Sequence, residues 1–315
     1  MVTSQTAFLF PGQGAQTVGM GQALCAQFPK AKEIVTRAND LLGFDLGKIC
    51  FEGPQEQLTR TDHAQVAILT ISIAAKKAAG ELLPEPQATA GLSLGEYTAL
   101  VGAGALTFED GLKLVWARGR FMEEAAQAQA GTMASILGLK LPQVEEVCQK
   151  SGAELANLNS PSQIVISGKR EAVEQAVGAA KEAGAKRAMV LNVGGAFHSS
   201  LMQPAAEKLR EVLESTPVEV PKFPVISNVT AQPHQDPTSI RARLAEQLTS
   251  PVRWEESVRS LLGLGIQSAY EIGPGTVLKG LFRQIERSVQ VTNVQTPEDI
   301  QALGASHENA AGGAQ

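Results

Sequence analysis

The chain has 315 residues, 43% of them hydrophobic and 19% charged, which supplies a sizeable core and argues against a disordered chain. Its net charge of −5 and only 4% aromatics argue against both a basic duplex-binding face and a stacking surface for single strands, so nucleic acid is not an expected partner. The length allows one large domain or a large one carrying an insert.

Three cysteines, Cys25, Cys50 and Cys148, form no Cys-x-x-Cys pair. A disulfide framework and a cysteine-rich zinc site are therefore not expected, no metal is assigned, and a reducing compartment is. The longest apolar run, Val66 to Ala75, is too short to span a bilayer and ends in Lys76-Lys77. The first residues carry no signal-peptide pattern. The expectation is a soluble intracellular protein with no membrane partner.

Ala7 to Phe10 reads as a short buried strand entering the turn Pro11-Gly12-Gln13-Gly14. Residues 20 to 90 read mainly as helices, broken at Gly53-Pro54 and Pro84-Glu85-Pro86. Ala88 to Ala90 then leads into Gly91-Leu92-Ser93-Leu94-Gly95, followed by helical spacing from Glu96. Thr107-Phe108-Glu109-Asp110 is a capping box that opens a helix to about Gln127. On a wheel of that helix Arg118 falls inside an apolar arc, between Leu114 and Phe121.

From Gly131 the pattern changes. Strands at 134–139, 153–158, 163–168 and 187–193 alternate with helices at 142–150 and 171–183, giving the order β-α-β-β-α-β of a ferredoxin-like unit inserted in a longer α/β chain. The expected domains are a discontinuous large α/β subdomain (1–129 and 195–300), a small subdomain (130–194) and a mobile tail (301–315). Further strands are expected at 225–227 and 269–272, and a helix near Pro204.

Gly91 to Gly95 matches Gly-x-Ser-x-Gly in a strand–turn–helix context. There the glycines permit a strained turn that exposes the serine hydroxyl, and the following amide, that of Leu94, faces a forming oxyanion. A neutral hydroxyl needs a base. Of the four histidines, His307 is in the tail, His234 is in a proline-rich loop, and His63 has the position of a cap or packing residue. His198 follows two glycines between a strand and a helix, where α/β folds place site residues, and a helix amino terminus there would keep it neutral. Arg118 is costly on an apolar arc unless paired, either with an internal carboxylate or with a substrate carboxylate. Gly12-Gln13-Gly14 lacks the spacing of a nucleotide loop, so no nucleotide cofactor is expected; the turn can instead aim the Gln13 amide at the site.

Together, Phe10-Pro-Gly-Gln-Gly-Ala-Gln16, Gly91-Leu-Ser-Leu-Gly-Glu-Tyr97, Arg118-Gly-Arg-Phe-Met122, Ala196-Phe-His-Ser199 and Glu271-Ile-Gly-Pro-Gly275 resemble the malonyl-CoA:acyl carrier protein transacylases of fatty acid synthesis, in the family's order over roughly residues 7 to 290. The resemblance implies an α/β-hydrolase-like large subdomain with an inserted ferredoxin-like small one. It also implies a ping-pong transfer of malonyl from malonyl-CoA to the thiol of acyl carrier protein, with no cofactor. Carried over, it makes Ser93 the nucleophile, His198 the base and Arg118 the partner of the malonyl carboxylate. The amides of Gln13 and Leu94 become the oxyanion hole, Gln247 the residue whose main-chain carbonyl orients the histidine, and Phe197 part of a segment associated with malonyl units. Leu92 stands where many members have histidine. A serine esterase or thioesterase, with water as acceptor, is the alternative function. The implied home is the cytoplasm, or the plastid stroma for a mature chain.

Overall fold

The computed structural model describes residues 5–312, with side chains as far as Ala305. Among the described residues nine strands form two sheets. Five of them, β1 (Thr6–Phe10), β2 (Ala88–Gly91), β7 (Val225–Ile226), β8 (Ser268–Ile272) and β9 (Gln290–Val294), make one sheet in the order β7-β2-β1-β8-β9, every pairing parallel. β3 (Gly131–Leu137), β4 (Glu154–Ser160), β5 (Gln163–Lys169) and β6 (Arg187–Val190) make the other, β4-β5-β3-β6, every pairing antiparallel.

A parallel sheet must be covered on both faces, and β1 reads accordingly: all five of its residues are buried. On one side lies the helix Thr61–Ala79, whose run from Ala64 to Ala75 is buried on all sides. On the other, Trp254, Val258, Leu261, Leu278 and Phe282 pack against Ala7, Leu9 and Ala90. Helix Phe108–Ala128 is capped by the Thr107 side chain, as its capping box predicts. It approaches helix Thr61–Ala79 at Gly119, where a Cβ would come within 2.8 Å of Asp62 Cα.

The small sheet has the ferredoxin-like strand order. Its helices, Leu141–Ser151 and Arg170–Glu182, cover one face through Val144, Val147, Val173 and Ala176, packed on Ala134, Ile136, Ile164 and Ile166. Alternate residues Met133 and Val165 turn to the opposite face and join the main core, as the period of two requires. The fold is thus an α/β-hydrolase-like large subdomain with an inserted ferredoxin-like small one.

Residues 301–312, expected to be loose, instead continue a helix that starts at Pro297 and is seated by buried Ile300 and Leu303; residues 313–315 and the His307 side chain lie outside what is described. The Glu271-Ile-Gly-Pro-Gly275 segment has a structural use. The Glu271 carboxylate accepts the amides of Leu278 and Lys279 and so caps helix Val277–Ile285 from a neighbouring strand. Among the described residues no helix is long and apolar enough to cross a membrane, and no group of three or more His, Cys, Asp or Glu could hold a metal ion.

Candidate active site

Ser93 stands between β2 and helix Leu94–Gly102, at the carboxyl end of a central parallel strand, with φ 53° and ψ −104°. Three non-glycine residues among those described have positive φ, and two of them are Ser93 and His198 (57°). Such backbone costs about 1–3 kcal/mol and persists only where its surroundings enforce it. The glycines of the pentapeptide are enforced by contact. A Cβ on Gly91 would lie 2.0 Å from the Gly95 carbonyl, and one on Gly95 would lie 2.1 Å from Phe10 O. No larger residue fits without moving the strand or the helix.

The structure brings Ser93, His198, Arg118 and Gln247 into direct contact. Ser93 Oγ is 2.8 Å from His198 Nε2. The other ring nitrogen, Nδ1, lies 2.8 Å from the main-chain carbonyl of Gln247. A carbonyl only accepts, so Nδ1 carries the proton and the neutral ring presents a lone pair at Nε2 to the serine hydroxyl. The ring is buried, and its pKa is pushed down from 6.5 to about 4, first by desolvation and then by the Arg118 charge. Burial beside a cation, rather than a helix amino terminus, therefore keeps the imidazole neutral.

Arg118 is 1% exposed. Nη2 donates to Ser93 Oγ at 3.0 Å and to Gln247 Oε1 at 2.9 Å, while Nη1 donates to Gln65 Oε1 at 2.6 Å. Its carbon lies 5.1 Å from the centroid of the Tyr97 ring. Of the two pairings left open by the sequence, an internal ion pair is not what these contacts show: the partners are amides, a hydroxyl and a ring. Nε is buried without a partner. Burial pulls the guanidinium pKa below its ordinary value, opposed by Tyr97 and Glu96. A desolvated, incompletely satisfied guanidinium has the chemistry to receive an anionic group.

Leu94 is the first residue of its helix, so its amide has no partner within the helix. Gln13 lies on the turn after β1, and its side-chain oxygen is 3.5 Å from Gln65 Nε2. Phe197 is buried in the main core next to the base, with its ring 3.2 Å from where a Gly195 Cβ would stand. Leu92 packs on the second core cluster, and its carbonyl leaves no room for a side chain at position 12, where a Cβ would lie 2.4 Å away. His63 is a packing residue: its ring stacks on Trp116 at 6.0 Å and its Nδ1 meets Gln57 O.

Four residues that the sequence reading did not single out complete the site. Gln65 holds Arg118 from the buried helix. Asn228 accepts the Ser93 amide at 2.6 Å and donates to Gly91 O at 2.8 Å, bracing both sides of the strained turn. Glu96 and His234 form a buried pair, with Nε2 2.8 Å from Oε1. His234 keeps its expected place in the proline-rich loop, but the loop folds inward and buries the ring. The one signal for Gln65 and Glu96 is the signal that marked Arg118, a polar side chain within an apolar helical run; Asn228 and His234 had none.

Residues 7–311 match the model of the acyl transferase domain family. The chain is 48% identical to the malonyl CoA-acyl carrier protein transacylase of Bacillus subtilis, over 98% of this chain and 100% of that one. It is 40% identical to the protein of the same name from Salmonella typhimurium, over 95% and 98%. Among solved structures it superposes on the malonyl CoA-acyl carrier protein transacylase of Coxiella burnetii with a TM-score of 0.92 at 41% identity, covering 95% and 96% of the two chains. A malonyl-transacylase solved in complex with a type II PKS acyl-carrier protein gives 0.92 at 40% identity, covering 95% and 99%.

Proposed function

The chain belongs to the acyl transferase family, and we infer that it moves the malonyl group of malonyl-CoA onto the thiol of an acyl carrier protein through an ester on Ser93. The observation that carries this reading is the setting of one hydroxyl, with Ser93 Oγ 2.8 Å from an imidazole nitrogen and 3.0 Å from a buried guanidinium. Neither contact alone selects an acyl group, but together they couple a nucleophile to a receptor for a carboxylate.

In the first half-reaction Ser93 Oγ bonds to the thioester carbon while its proton passes to His198 Nε2. The oxygen of the tetrahedral adduct takes the amides of Leu94 and Gln13, a contribution of about 10²–10³ in rate per donor in comparable sites. The carbon–sulfur bond then breaks, and the departing thiolate takes the proton back from Nε2. In the second half-reaction the carrier's thiol gives its proton to His198 and attacks the malonyl ester, and Ser93 leaves with that proton. Gln247 O holds the ring throughout. A carbonyl does there what a carboxylate does in a three-member relay: it fixes the tautomer, without adding a charge.

Arg118 supplies selection. Its free donors receive the malonyl carboxylate, whereas an acetyl group leaves a buried guanidinium incompletely satisfied. Such a loss is worth about 10²-fold or more between donors. Phe197, the buried chain neighbour of His198, is the residue we assign to limiting the width of the acyl chain. The chain's bacterial relatives support a cytoplasmic location, and the residues named handle every proton and every charge of the transfer.

The test is single-turnover acylation by malonyl-CoA and acetyl-CoA, with the acyl-enzyme then offered water or a pantetheine thiol. Wild type is expected to favour malonyl and to deliver it to the thiol, and Arg118→Ala to lose malonyl acylation by about 10²-fold while gaining relative acceptance of acetyl. An equal fall for both donors would make Arg118 structural. Rapid loss of the ester to water would make the protein a thioesterase.

A further inference from the structure

Glu96 has no part in the steps above, yet it is fully buried one turn into the helix that follows the nucleophile. Its Oε2 accepts Gln247 Nε2–H at 2.6 Å and the Asn228 amide at 3.1 Å, and its Oε1 faces His234 Nε2 at 2.8 Å. The Gln247 amide nitrogen and the Asn228 main-chain N–H are both donors, so Oε2 is an acceptor twice over. The far end of the same Gln247 amide, Oε1, accepts Arg118 Nη2–H at 2.9 Å. A glutamine amide can be turned either way at little cost in shape. Here it cannot, because the Glu96 carboxylate and the Ser93 carbonyl at 3.0 Å only accept and the Arg118 guanidinium only donates.

We propose that Glu96 is a positioning and specificity-determining residue: through the side-chain amide of Gln247 it holds Arg118 against Ser93 while leaving the guanidinium free of any internal carboxylate. This rests on the reading of Arg118 as receptor for the carboxylate of the donor acyl group. A carboxylate in direct contact with Arg118 would form a buried ion pair, and the incoming acyl carboxylate would have to displace it. With an amide between them, the negative charge still offsets the guanidinium, but the guanidinium's free donors stay available. His234 and the Asn228 amide hold one oxygen each of the carboxylate, so Glu96 would have to break those contacts to swing towards Arg118.

The inference is tested by exchanging the two side chains, Glu96→Gln with Gln247→Glu. The exchange keeps net charge and shape, keeps the main-chain carbonyl at His198, and moves the carboxylate into direct contact with Arg118. Single-turnover acylation by malonyl-CoA and by acetyl-CoA is measured, and the malonyl-to-acetyl ratio is expected to fall by about tenfold or more. Glu96→Gln alone, which removes the buried carboxylate but leaves Ser93 O and Arg118 Nη2 to orient the Gln247 amide, is expected to lower the ratio by about threefold, a modest loss of orientation. It decides the matter if the exchanged protein does not melt cooperatively. A ratio kept within about twofold of wild type, including a parallel fall for both donors, overturns the proposal, because a merely structural role moves rates and not their ratio. A wild type without preference for malonyl would instead remove the donor reading, and this inference with it.

Discussion

The small sheet and the turn that carries Ser93 are both buried, but they are held together by different means. In the sheet the buried side chains between helix and strand are Ala134, Ile136, Val144, Ile164, Ile166, Val173 and Ala176. Beneath Ser93 they are Gln65, Arg118, Gln247, Glu96 and His234, each tied by a hydrogen bond to the next, with Asn228 joined to Glu96 through its main-chain amide. Apolar packing is non-directional and tolerates repacking at similar volume. A buried polar network has a fixed sense of donors and acceptors, and a missing partner costs the full desolvation of the group left behind. The first region supplies stability and a platform; the second supplies geometry, and it supports two residues with strained backbone.

The comparison predicts where damage will appear. Ile166→Ala, at a fully buried position of the small sheet, should cost about 3–4 kcal/mol in urea unfolding. Its malonyl-to-acetyl ratio should stay that of wild type, and a changed ratio would mean that the two regions are not independent. A smaller effect comes from pH and belongs to the polar region. His198 is buried neutral with its pKa at about 4 against an ordinary 6.5. Between those values the unfolded chain binds a proton that the native chain refuses. Stability is therefore intact above pH 6.5 and declines as pH falls towards 4, by about 3 kcal/mol at most from this residue. Comparing wild type with His198→Gln at pH 7 and pH 4.5 isolates that part, and identical slopes would contradict it. The same low pKa keeps the base deprotonated, so the acylation rate should hold from pH 8 to about pH 5 and drop below it.

The contrast also explains what was legible in the sequence. Alternation and helical period, which report apolar faces, placed the strands and helices of the ferredoxin-like unit to within a few residues, because packing decides them. The Gly-x-Ser-x-Gly pattern was legible because steric contact forbids anything larger at Gly91 and Gly95. Arg118 showed as a charge on an apolar arc. Hidden were the partners: Asn228 N meets Glu96 from 132 residues away and Gln247 Nε2 meets Ser93 O from 154. Hydrogen-bond complementarity over such separations leaves no period in the chain. The helix from Pro297 was missed for a different reason, since its Ala- and Gly-rich end has little apolar face and is anchored near its start by Ile300 and Leu303.

The account stands on Ser93 carrying the acyl group. Intact mass spectrometry after brief mixing with malonyl-CoA, for wild type and Ser93→Ala, tests this most directly. Wild type should gain a single malonyl unit, located on the peptide that holds Ser93, and lose it on addition of a pantetheine thiol; Ser93→Ala should gain none. A malonyl adduct on Ser93→Ala, or a wild type that never gains one, would contradict the account.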